Sequence, residues 1–156
     1  MTDKQMKIIL RRVSLYPPYL GAGIKLKSVN EDYTRFEVIM KLKWFNRNIY
    51  GTHFGGSLYA MTDPFFVFII ANYLGKNYVV WDKSAKINFK KPGKGRVRAI
   101  FEISKEKLAE IKSETDKTGK KTFFFNAEIL NDDNEVIAEV EKEVYIRNKN
   151  FIPKNQ

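Results

Sequence analysis

Cysteine is absent from the 156 residues, and histidine occurs once, as His53. Without cysteine there is no disulfide, no thiolate-held zinc staple and no thiol nucleophile. A single histidine leaves little for a serine-histidine or cysteine-histidine machine. No internal repeat, linker or low-complexity tract interrupts the chain. The opening residues, Met1 to Lys7, lack the apolar stretch of a secretory signal, so a cytoplasmic location is expected. The longest apolar run, Leu58 to Leu74, spans 17 residues. Asp63, Pro64 and Asn72 interrupt it, which leaves it short of an unbroken membrane-spanning helix and predicts a buried helix instead.

What the sequence does hold is 44% apolar residues, an ordinary globular share, in a length that suits one domain over 1–156. It carries 28 Lys and Arg against 18 Asp and Glu, a net charge of +10. Such a balance attracts phosphates of any kind. Nucleic acid is not expected, because Glu102, Glu106, Glu128, Glu139, Glu141 and Glu143 interleave with the lysines and no recognition motif is present.

Met6, Ile9, Leu10 and Val13 recur at helical spacing, which predicts a helix over about 4–15, capped by Thr2 or Asp3 and stopped by Pro17-Pro18. From Tyr33 to Lys43 the period becomes two, with Phe36, Val38, Met40 and Leu42 on one side. Ile24 to Val29 is its predicted hairpin partner across Asn30-Glu31-Asp32. The apolar run predicts a central helix over about 56–74. Beyond it Tyr78 to Trp81, Ala85/Ile87/Phe89, Val97/Ala99/Phe101/Ile103, Phe123/Phe125/Ala127/Ile129 and Val136/Ala138/Val140/Val144/Ile146 alternate with polar neighbours. Turns are predicted at Pro92-Gly93-Lys94-Gly95 and Asn131 to Asn134. The charged stretch Lys105 to Lys117 is either a surface helix or an ordered loop. The order implies an α+β domain in which a curved antiparallel sheet wraps one hydrophobic helix.

The segment from Asn48 through Gly51, His53-Phe54-Gly55-Gly56 and Ser57 to Asp63, set in that element order, resembles the hotdog-fold thioesterase superfamily, in particular its phenylacetate-pathway-like branch. The nearest likeness is to a hotdog subfamily known only as a domain of unknown function. Asn48, Gly51, Gly55, Gly56 and Asp63 fall on the branch's motif positions, the acid seven residues after the second glycine. Ser84 to Pro92 followed by Gly95 resembles the family's next strand and turn. One position departs: the family's histidine falls on Phe54, with His53 one residue earlier. The resemblance implies a thioester hydrolase acting on acyl-CoA, with a site between the protomers of a homodimer or tetramer. No metal and no resident cofactor are implied, coenzyme A entering only as part of the substrate.

The residues make chemical sense in those roles. A Gly-Gly pair opening a helix admits a substrate close to the backbone, and first-turn amides stabilise a developing oxyanion; Gly56 is the candidate donor. Asp63, two turns on in apolar surroundings, is a candidate base or nucleophile whose proton affinity desolvation raises, or else it caps a neighbouring loop. Pro64 predicts a kink that aims it. Asn48 is a candidate to orient the acid or a water, or a simple turn former. Phe54, His53, Gly55 and Ser57 are expected at the substrate, although a polar loop role suits His53 better than a base and Ser57 also fits a cap. Lys90, Lys91 and Arg96, with Lys94 and Arg98, form either a clamp for coenzyme A phosphates or a solvated basic hairpin. The alternative to catalysis is a non-catalytic acyl or lipid-like ligand binder on the same fold.

Overall fold

The computed structural model describes residues 3–152. Helix α1 (Asp3–Arg12) passes into a 3-10 turn (Val13–Leu15), burying Met6 and Val13. Asp3 is the first helical residue, and Thr2, the other proposed cap, lies outside the described residues. Pro17-Pro18 end this stretch as expected and then open helix α2 (Pro17–Ala22). Proline suits a helix's first turn, where the missing N–H would have had no partner.

Strands β1 (Ile24–Val29) and β2 (Arg35–Lys41) form the expected hairpin, Ile24 opposite Met40 and Val29 opposite Phe36. The expected helix over 56–74 is two helices, α3 (Gly55–Ala60) and α4 (Phe65–Leu74). Pro64 cannot donate the bond that would continue the ladder, and its ring disfavours the helical conformation at Asp63, so the anticipated kink is a full break. The Asp63-Pro64 bond is cis. By length and composition 55–74 would suffice to cross a membrane. Here it is divided, and α4 buries Phe65, Phe66, Ile69, Ile70 and Leu74.

Four long strands complete one antiparallel sheet: β3 (Tyr78–Phe89), β4 (Arg96–Glu102), β5 (Lys120–Asn131) and β6 (Val136–Asn148), in the order β1-β2-β4-β5-β6-β3. The stretch after β4 is helix α5 (Lys105–Thr118), started by the Ser104 hydroxyl, which accepts from the Lys107 N–H at 3.2 Å. Leu108, Ile111 and Thr115 are buried, so α5, the surface helix of the two alternatives for this stretch, lays one stripe beside α4 against the sheet. Two stacked ring pairs tie helix to sheet, Phe65 on Phe101 at 5.0 Å and Phe66 on Phe125 at 5.1 Å. Each such ring, fully buried, is worth about 1.5–3 kcal/mol of transfer free energy.

The two short apolar patterns expected around 78–89 belong to one strand. A bulge between Asp82 and Ser84 inserts a residue, so the inward parity shifts from Val80 and Asp82 to Ala85, Ile87 and Phe89. This strand is a sheet edge, and Phe89 remains 55% exposed.

Candidate active site

The break between α3 and α4 places Asp63 at a groove of about 600 Å³ walled by α1, the 3-10 turn, α2 and Phe68 of α4. Its lining is apolar apart from Arg12, Asp63 and the two tyrosine hydroxyls: Ile8, Ile9, Val13, Tyr16, Pro18, Tyr19, Ala60 and Pro64. The Tyr19 hydroxyl donates to the Asp63 backbone carbonyl, fixing the break against α2. Burial holds the Tyr19 phenol well above its ordinary range, and the nearby Asp63 and Tyr16 add to the rise.

The Asp63 carboxyl is partly solvent-exposed, yet the groove walls desolvate it and hold it above the usual carboxylate range. The Lys142 cation pulls it back down. The Asp82 carboxylate beside it pushes it up again.

Lys142 stands on the inner face of β6, 1% exposed, between Phe125 of β5 and Ala85 of β3. Its Nζ donates to Asp82 Oδ2 at 2.7 Å and lies 4.9 Å from the centre of the Tyr59 ring. Neither Asp82 nor Lys142 stands out as a site candidate in sequence. The signal is present nonetheless: Lys142 occupies a position of β6 where the alternation of Val140 and Val144 calls for an apolar side chain.

At the start of α3, the N–H groups of Gly55 and Gly56 have no backbone acceptor among the described residues, whereas those of Ser57 and Leu58 bond to the Phe54 carbonyl. Phe54 is the N-cap residue and is 56% exposed. Its ring folds over the next turn, so a Cβ at Gly56 would come within 2.5 Å of it. The N-cap place that Ser57 also fitted is taken by Phe54, and Ser57 lies within the first turn.

A second cleft, of about 340 Å³, gathers Asn48, His53, Gly55, Lys90 and Lys91 with Thr52, Leu58, Phe89, Pro92 and Gly93. Asp63 and Arg96 line other cavities, so one chain does not bring all the expected site residues into one space. Asn48 is fully engaged within its own loop. Its Oδ1 accepts from Tyr50 and Thr52 N–H at 2.9 and 3.1 Å, and its Nδ2 donates to Thr52 Oγ1 at 2.9 Å.

His53 is 3% exposed, and its Nε2–H donates to the Gly95 carbonyl at 3.1 Å while its own N–H donates to the Gly93 carbonyl at 2.9 Å. Burial lowers the imidazole's proton affinity, opposed by that bond to Gly95. The ring therefore anchors the β3–β4 connection in its neutral form.

The expected phosphate clamp is matched by carboxylates from the β5–β6 side. Lys90 pairs with Glu139 at 2.8 Å, Lys91 with Glu135 at 2.5 Å and Arg96 with Asp132 at 2.7 Å. All six side chains are largely exposed, so each pair is worth only about 0–1 kcal/mol.

Solved structures of the same architecture agree with this fold. A Pseudomonas aeruginosa protein of unknown function, described as a probable thioesterase, superposes with a TM-score of 0.78 at 15% identity, over 94% of this chain and 96% of that one. A Haemophilus influenzae thioesterase gives 0.66 at 14% identity, over 90% of each chain. The E. coli PaaI protein from the phenylacetic acid degradation operon gives 0.63 at 16% identity, over 91% and 92%. These likenesses establish the hotdog fold. A comparison with curated proteins finds no match. A family model, the domain of unknown function DUF4442, matches residues 5–146, and the chain belongs to that family.

Proposed function

We propose that this protein hydrolyses an acyl-CoA thioester to carboxylate and free thiol, with Asp63 as base or nucleophile and the Gly56 amide as oxyanion donor. The observation that carries this reading is the position of Asp63. Its carboxyl sits at a helix break, on an apolar groove of about 600 Å³ suited to an acyl chain, with its proton affinity raised toward the range of a useful general base.

The active unit in this reading is a homodimer. On one chain the groove holding Asp63 and the cleft beside Gly55 are separate. The 12-residue edge strand β3 leaves Ala85 and Phe89 of its inward stripe exposed. Pairing two β3 strands about a two-fold axis covers that stripe and removes the open edge. It also offers a route for one protomer's Asp63 to meet the partner's Gly56. Trp81, stacked on Tyr145 at 5.3 Å, and the exposed Phe124 give the outer sheet face an apolar patch on which two dimers would form a tetramer. Lys90, Lys91 and Arg96 would exchange their carboxylate partners for the phosphates of coenzyme A.

The second reading, a non-catalytic acyl or lipid-like ligand binder, draws on Phe54, whose ring covers Gly56 where the thioesterase motif has histidine. Thiol release from short, aromatic and long acyl-CoAs, beside mass spectrometry of ligand carried through purification, separates the two. Turnover of any member supports hydrolysis. Copurified lipid with no turnover supports the binder.

A further inference from the structure

Asp82 presents a hydrogen-bonding imbalance. Its Oδ2 accepts from Lys142 Nζ at 2.7 Å, while its Oδ1 is buried without a donor among the described residues. A buried carboxylate oxygen left unpartnered is costly, and the group beside it is the Asp63 carboxyl, within hydrogen-bonding reach. Two ionised carboxylates there would repel; one proton between them turns the repulsion into a hydrogen bond. The other titratable and charged groups packed around Asp63 do not supply that proton. Tyr19 of α2 spends its hydroxyl on the Asp63 carbonyl, Tyr16 packs against Tyr19, Tyr59 of α3 faces Lys142 with its ring, and Arg12 lines the groove.

We infer that Asp82 and Lys142 are positioning residues for Asp63: Asp63 shares one proton with Asp82 Oδ1, and the buried Lys142 holds Asp82 in place as the acceptor. This rests on the reading of Asp63 as the acid-base group of a hydrolase. The consequence is a proton relay that faces the substrate on one side only, because Asp63 borders the groove while Asp82 Oδ1 is sealed from solvent.

The bookkeeping of protons closes with Asp63 acting as base. Transfer of the shared proton to Asp82 leaves Asp63 as a carboxylate. It takes a proton from water as the water oxygen bonds to the thioester carbonyl carbon. When the carbon–sulfur bond breaks, Asp63 gives that proton to the departing sulfur. The second water hydrogen stays on the carboxylic acid product, and the pair again holds one proton.

The test is a pH titration of the Asp63 carboxyl by carbon-13 NMR of aspartate-labelled protein, assigned with Asp63→Asn, in wild type, Asp82→Asn and Lys142→Met. Loss of the cation moves the Asp63 midpoint up, and loss of the neighbouring carboxylate moves it down, each by about one pH unit or more. The acid limb of kcat/KM moves in the same two directions, which a purely structural role would not produce. Unmoved midpoints, shifts of the same sign, or an Asp63 that titrates as an ordinary carboxylate in wild type overturn the inference. If Lys142→Met does not fold, Asp82→Asn decides alone: a downward shift supports proton sharing and an unmoved midpoint refutes it. Absence of thiol release from every acyl-CoA would refute hydrolysis, while the NMR titration would still decide whether the proton is shared.

Discussion

Lys142 Nζ lies 2.7 Å from Asp82 Oδ2, joining the inner face of β6 to the edge strand β3 at its bulge. Removing one member of such a pair strands the other. Lys142→Met is expected to cost about 3 kcal/mol, read as a lowered urea midpoint with an unchanged slope. Lys142→Met combined with Asp82→Leu is expected to recover most of that loss, since replacing both charges removes the desolvation burden. A double variant no more stable than Lys142→Met would show that the pair is not the source of the cost.

Asp63 itself should weaken the fold at neutral pH. Its proton affinity is higher in the folded chain than in the unfolded one, mainly through burial. The stability it contributes is therefore full below the ordinary carboxylate range and is lost as pH rises through its raised titration point. Asp63→Asn is expected to melt above wild type at pH 8, with the gap closing toward pH 3. Thermal melts of both proteins across that interval check the sign, and a gap that widens on acidification would contradict it.

His53 has a structural assignment that a substitution can check. His53→Ala removes the hydrogen bond to Gly95 and the packing against Gly93, and is expected to cost about 2 kcal/mol. Turnover per folded molecule should stay at the wild-type level. A kcat collapse without loss of stability would return the imidazole to the chemistry.

Phe89→Lys places a charge on the uncovered stripe of β3. If two copies pair along this edge, sedimentation should show monomer in place of dimer, with hydrolysis lost alongside. A variant that remains dimeric would direct attention to another surface.

The strands were legible because their environments are two-sided. Phe123, Phe125, Ala127 and Ile129 alternate with exposed neighbours, and all four are buried in the structure. The Asn131 to Asn134 turn was equally readable, since the Asn131 side chain accepts the N–H groups of Asp133 and Glu135. Pro64 signalled a disturbance in the apolar run, but not how far it reached, because that depends on α2 docking through Tyr19. The glycine pair and Asp63 were readable from local spacing. The Asp82–Lys142 pair was not, because it joins residues 60 positions apart, although Lys142 by itself breaks the apolar alternation of β6.

The most direct measurement is thiol release by wild type and Asp63→Asn across short, aromatic and long acyl-CoAs at neutral pH. Wild type should turn over at least one chain class, and Asp63→Asn should reduce that rate by about a hundredfold or more. Equal rates in the two proteins would remove the acid from the chemistry and contradict the proposed site.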